Sequence, residues 1–185
     1  RNAEKLEKLR NDIVTTGGMD CTVYVCDCGV QKEVLQICDE IMQKENQLDC
    51  LVSNHGTFCP KSKKQVVKGD DPYEIHYSVN FLSSALIISA LRPLLEKSSI
   101  DNVKSRIVVV GSFTAQMQWN PDTCCTIRVD DMNFDKRGGN VNGCFCCPPC
   151  FPPCMGFPGW NGYMSSKMSN HLWSKHYAEN IIDNN

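Results

Sequence analysis

The sequence predicts a three-layer α/β domain built on a parallel sheet. Helical and strand-like apolar periods alternate along the chain, which implies βαβ units. One strand candidate, Arg106-Ile-Val-Val-Val110, is apolar without alternation, as a strand covered on both faces would be. Polar features follow each strand candidate: Asp27, then Asn54-His55-Gly56, then Gly111-Ser112. Ligands bind beyond the carboxyl ends of strands in such sheets.

The elements follow in order. Residues 2–14 place Leu6, Leu9 and Ile13 at helical spacing among charges, and Gly17-Gly18 breaks the pattern. Cys21 to Val25 reads as a short buried strand. Residues 31–44 set Val34, Leu35, Cys38, Ile41 and Met42 on one helical face. Asp49-Cys50-Leu51-Val52 is a second strand. A lysine-rich polar loop, Pro60 to Asp71, precedes a long helix from Pro72 to Glu96, with Pro72 suited to its first turn. Arg106 to Val110 is the third strand, 113–160 reads as irregular, and a last helix runs from Tyr163 to Ile182.

Composition bounds the function. At 185 residues the chain holds one domain with a substantial core, and a net charge of −2 gives no reason to expect nucleic acid or an anionic membrane as partner. The longest apolar run, Phe81 to Leu91, is interrupted by Ser83, Ser84 and Ser89 and is too short to span a bilayer. The 13 cysteines are odd in number and follow no visible secretory leader, which argues against a fully paired disulfide framework. The expected compartment is reducing and intracellular, namely the cytoplasm, with organelle targeting left open because the chain opens on Arg1 rather than Met.

The richest stretch is Tyr163-Met164-Ser165-Ser166-Lys167. Residues at i and i+4 share a helix face. An ammonium held there stabilises the phenolate and lowers a phenol pKa that is ordinarily about 10. The tyrosine then serves as a proton donor or acceptor near neutral pH. Asn80, Tyr163 and Lys167 are helix-borne and converge on the edge that carries the three strand-end features. Plainer roles stand beside these: Asn80 as a satisfied core amide, Ser112 as a turn cap, Arg1 as a solvated side chain and His55 as a structural ring. His76, His171 and His176 show no metal spacing, so no metal site is expected there.

Together these residues resemble the short-chain dehydrogenase/reductase family. Leu51 to Gly56 is similar to its L-V-N-N-A-G strand end, with His55 in place of alanine. Val79-Asn80 resembles the V-N of its central helix, Arg106 to Ser112 its strand ending in the catalytic serine, and Tyr163 to Lys167 its Y-x-x-S-K. Met168-Ser169-Asn170 and Val129-Asp130-Asp131-Met132-Asn133 are similar to runs in retinol-dehydrogenase-like members, whereas Val110-Gly111-Ser112 resembles the V-G-S of light-dependent protochlorophyllide reductases. Arg1-Asn2 looks like the C-R-N/D after the second strand in NADP-preferring members, and Asp27 matches an aspartate that contacts adenine.

The resemblance implies a Rossmann-like doubly wound sheet and hydride transfer between a nicotinamide and an alcohol or carbonyl carbon of a small lipophilic molecule. Tyr163 would be the general acid or base, and Lys167 would tune it and hold the nicotinamide ribose. Ser112 would hydrogen-bond the substrate oxygen, and Asn80 would order a water for proton relay. Arg1, Asp27, Asn54 and Gly56 would join Tyr163 and Lys167 in binding cofactor. An arginine fork on a 2′-phosphate favours NADP(H) over NAD(H). A homodimer or homotetramer fits the family's habit. The family's T-G-x-x-x-G-x-G loop belongs before Arg1, so residues 1–185 read as one partial domain lacking the first and last strands. The rival reading is a cofactor-incompetent paralogue acting as a non-catalytic interaction protein.

Ser112 and Tyr163 stand 51 positions apart, more than most members of that family allow. The extra length is an insertion within 113–160, Cys/Pro-rich at 144–154, where repeated proline forbids regular helix or central strand. It reads as a surface insertion near substrate, a soft-metal loop through Cys147, Cys150 and Cys154, or sequence without function.

Overall fold

The computed structural model describes residues 2–59, 66–67, 73–100, 103–118, 133 and 158–182. Arg1, Pro72, the lysines of the 60–71 loop and the Cys/Pro-rich segment lie outside them.

Helix α1 (Ala3–Gly17) begins where Asn2 Oδ1 accepts the Lys5 N–H at 2.9 Å, an N-cap that meets one of the unpaired first-turn donors. It ends at Gly18, whose φ of 65° suits a residue without Cβ and lets its N–H reach Val14 O. The expected apolar stripe of α1 is not buried: Leu9 and Ile13 are exposed, and the helix is tied to the segment after it by Arg10 Nε donating to Cys21 O.

Cys21 to Val25 corrects the sequence reading. It finds no ladder partner among the described residues and is not a strand. Apolar β-branched composition favours extended backbone, but a strand exists only where a neighbour satisfies its N–H and C=O groups.

Helix α2 (Gln31–Lys44) buries Val34 and Cys38, with Ile41 and Met42 packed beside them. Leu35 departs from the expected face and is 42% exposed. Strand β1 (Cys50–Ser53) leads through α3 (Ser83–Lys97) to a short antiparallel pair that the sequence reading missed, β2 (Ser99–Ile100) and β3 (Val103–Lys104). Strand β4 (Arg106–Val109) then pairs in parallel with β1, in the register Cys50↔Arg106 to Ser53↔Val109. A parallel pair needs such a crossover, and α3 supplies it.

Helices α2 and α3 pack on each other around Val34, Cys38, Leu91 and Leu94, with Leu48 and Leu51 beside them. The sheet is covered on one face only among the described residues. Leu51, Ser53, Ile107 and Val109 point inward, while Val52 is 57% and Val108 43% exposed. The unbroken apolar run of β4 concealed that alternation.

A π-helical segment, Tyr77–Leu82, precedes α3, its wider turn closed by Ser83 N–H on Ser78 O. By length and composition alone Tyr77–Lys97, 21 residues at mean hydropathy 1.4, is long enough to cross a membrane, longer than the run read from sequence. Its burial is that of a core helix, with Ser78, Asn80, Ser83, Ile88 and Leu94 fully enclosed. A 3₁₀ helix (Phe113–Gln118) occupies the start of the stretch expected to be irregular, and α4 (Pro158–Tyr177) begins five residues before Tyr163. Pro158 opens α4, where the missing N–H costs nothing.

Leu94→Ala is expected to destabilise the fold by about 2–5 kcal/mol, because the vacated volume lies in a closed core. Leu35→Ala, half in solvent, should cost no more than about 1 kcal/mol. Urea unfolding of both variants checks the contrast.

Candidate active site

The site forms where the loop after β1, the π segment and α4 meet. Asn80 is the clamp between them. Its Oδ1 accepts the Thr57 N–H at 2.7 Å, and its Nδ2 donates to Thr57 O at 3.1 Å and Ser166 Oγ at 3.0 Å. Its carbonyl accepts from Asn170 Nδ2 at 2.8 Å and from Ser84 Oγ at 3.0 Å. With no exposure at all, Asn80 needs such partners, since an unpaired buried amide costs about 1–3 kcal/mol. The structure therefore gives Asn80 a positioning task through its side chain.

Small residues make this approach possible. Ser53 Oγ donates to Ser84 Oγ at 2.8 Å, which in turn donates a hydrogen bond to Asn80 O. Ser83 Oγ donates to Val79 O at 2.7 Å, so it accepts from His55, whose Nε2 lies 2.6 Å away. That fixes the His55 proton on Nε2. None of these partners was legible in the sequence; the only signal was the pairing of small polar residues, Ser83-Ser84 and Ser165-Ser166, on the two helices that meet at Asn80.

Lys167 is buried on α4 and donates from Nζ to Val110 O at 3.0 Å, bridging to the end of β4. A Cβ placed on Gly56 would lie 3.7 Å from Nζ and 3.4 Å from Asn80 Oδ1, so the loop after β1 closes directly over the ammonium. Burial pushes the Lys167 pKa down. Burial, and next the Lys167 charge, pushes the His55 pKa down as well. Ser112 shares a cleft of about 380 Å³ with Lys167, Met168 and His171. It also caps the 3₁₀ helix, with its Oγ 2.8 Å from Thr114 Oγ1 and accepting the Thr114 N–H.

Tyr163 sits in the first half of α4, its ring edge-on to Phe58 at 4.9 Å and to His76 at 6.1 Å. Asp27 lies apart from the Ser112 cleft, in a second one of about 220 Å³ shared with His55, Gly56 and Thr57. Its Oδ1 accepts the Gly29 N–H at 2.9 Å. Asn54 is exposed at the end of β1, and Arg1 lies outside the described residues. The structure thus joins Asn80, Gly56, Lys167 and Ser112 around the carboxyl ends of β1 and β4, with Asp27 across the loop.

His55 carries a pH dependence. Its folded pKa is below the ordinary 6.5, so the unfolded chain takes up the proton first as pH falls. The stability it confers is full above about pH 6.5 and declines from there down to the folded pKa. His55→Asn should flatten that limb of a melting-temperature profile between pH 7.5 and 5; an unchanged limb would assign it to other groups.

A parallel strand pair with its crossover helix α3, carrying a lysine, a serine and a clamped asparagine at its carboxyl edge, belongs to a Rossmann-type α/β protein. Residues 1–124 match the family model for short chain dehydrogenases, and the chain belongs to that family. It is similar to retinol dehydrogenase 14 of Mus musculus, 27% identical over all of this chain and 47% of the relative, and to that of Homo sapiens, 29% identical over 92% and 40%. These relatives place the resemblance on the retinol-dehydrogenase-like side of the family, and the chain spans about half of their length. Among solved structures, a short chain dehydrogenase from Salmonella enterica serovar Typhi has a TM-score of 0.61 at 18% identity, covering 99% of this chain and 58% of its own. A metagenomic short-chain oxidoreductase in complex with NADP gives 0.62 at 15% identity, covering 99% and 63%. Both share the fold.

Proposed function

We propose that this protein acts as a nicotinamide-dependent oxidoreductase on an alcohol or carbonyl group of a small lipophilic molecule, with NADP(H) as cofactor. The observation that carries the reading is the buried Lys167, bonded to Val110 O and roofed by Gly56, in one cleft with Ser112 and one helical turn from Tyr163. The two retinol dehydrogenase relatives support the substrate class, and NADP in the Pseudomonas aeruginosa RhlG complex and the metagenomic structure supports the cofactor.

The residues present fit such a group. Asp27, Asn54 and Gly56 line the loops where the adenosine half would lie, and the lysine would hold the nicotinamide ribose. When bound, the nicotinamide supplies or accepts the hydride. Tyr163 gives or takes the proton at the substrate oxygen, Lys167 holds its ammonium one helical turn away beside the nicotinamide ribose, and Ser112 Oγ donates a hydrogen bond to that oxygen. Asn80 holds the Thr57 backbone against α4, so the geometry is set before substrate arrives.

The test is binding and turnover by the chain in its full-length protein: NADPH and NADH fluorescence titration, then NADPH oxidation against carbonyls that include retinal-like aldehydes. Saturable NADPH binding with turnover supports the proposal. Absence of cofactor binding favours the non-catalytic reading.

A further inference from the structure

The most deeply buried titratable pair among the described residues lies outside the roles above. Glu74 is 2% exposed and His76 not at all. Cys59 N–H donates to His76 Nε2 at 2.9 Å, so the ring proton is on Nδ1, which donates to Glu74 Oε1 at 2.6 Å. Glu74 Oε2 accepts the backbone N–H groups of His76 and Tyr77, both at 2.9 Å. Glu74 N–H in turn donates to Asn133 Oδ1 at 2.7 Å. Every polar atom of the pair is engaged, and it joins the loop after β1 to the entry of the π segment.

The pair also touches α4 directly before Tyr163. A Cβ on Gly162 would lie 2.9 Å from Glu74 Oε1, closer than real Cβ atoms approach, and 3.0 Å from His76 Nδ1, which is tighter than most. The Tyr163 ring stands edge-on to His76, at 82°, and to Phe58, at 66°. Phe58 is the neighbour of the Cys59 that His76 holds.

We propose that Glu74 and His76 are positioning residues for Tyr163. The carboxylate–imidazole pair fixes the wall on which the phenol is set, through the His76 ring on one side and through Cys59 and Phe58 on the other. Gly162 is the residue that lets α4 close onto that wall. The assignment deepens the proposed function, on which the proton-transfer role of Tyr163 rests. Misplacing a reacting group by an ångström can cost about 10²-fold in rate.

The experiment places ¹³C-labelled tyrosine in the full-length protein, assigns the Tyr163 ring signal with Tyr163→Phe, and compares His76→Leu, His76→Gln and Gly162→Ala. Turnover and NADPH affinity are measured alongside. His76→Leu and Gly162→Ala should move or split the Tyr163 signal and lower kcat by about ten- to a hundredfold, with the NADPH Kd within about twofold. His76→Gln should restore both, because its amide can accept from Cys59 N–H and donate to Glu74. Should His76→Leu not fold, the Gln and Gly162 variants decide. A Tyr163 signal unmoved by Gly162→Ala, or equally displaced by Gln and Leu, overturns the proposal. A parent protein that turns nothing over, yet whose Tyr163 signal follows His76, would sink the enzymatic reading and leave the positioning pair standing.

Discussion

Tyr163→Phe is expected to lower turnover by about 10²–10⁴-fold in a protein that still binds cofactor. The substitution removes only the hydroxyl. The ring keeps its edge contacts with Phe58 and His76, and the backbone carbonyl keeps the 2.7 Å bond it accepts from Ser166 Oγ. The fold around α4 therefore has no reason to change, and the loss reports proton transfer alone. Steady-state rates with fluorescence titration of NADPH measure it. Turnover at the parent level would remove Tyr163 from the chemistry.

Lys167→Met should separate activity from stability. Turnover is expected to fall by about 10²-fold or more, with cofactor binding weakened further than in Tyr163→Phe because the ammonium, not only a hydroxyl, is lost. Stability should respond in a pH-dependent way. The Lys167 pKa in the folded protein is below the ordinary 10.5 because the ammonium is buried. At neutral pH the folded chain therefore carries a charge that the unfolded chain solvates better. That handicap shrinks as pH rises from the folded pKa toward 10.5, since the unfolded state there binds more protons. Relative to the variant, the parent should thus gain stability between neutral and alkaline pH. Melting temperatures of the two proteins from pH 7 to 10.5 test the sign, and parallel curves would mean that Lys167 titrates as it does in solution.

The elements most legible in the sequence were those specified by local period. The α2 face, the β1 and β4 strands and the Tyr163-bearing helix follow from residues within a few turns of one another. Leu35 fell off its face because it sits at the margin of a broad apolar arc. Cys21–Val25 was misread because strand formation depends on a neighbour distant in sequence. The site shows the same division. Asn80, Lys167 and Ser112 were legible as residue types at strand and helix positions. The partners of Asn80 at Thr57, Ser166 and Asn170 were not, and neither was His76, whose role arises only where residues 59, 74 and 162 meet.

The π turn sets the phase between two working faces. It accommodates one more residue per turn than α geometry, and each residue of a helix advances the side-chain direction by about 100°. Upstream of it, Glu74 and His76 face Gly162; within and beyond it, Asn80, Ser83 and Ser84 face the loop after β1 and the serine side of α4. A straight α-helix through the same residues would rotate one set out of line whenever the other was aligned. The extra residue thus acts as a vernier, letting a single helix address the Tyr163 ring and the Ser166 hydroxyl of α4 at the same time.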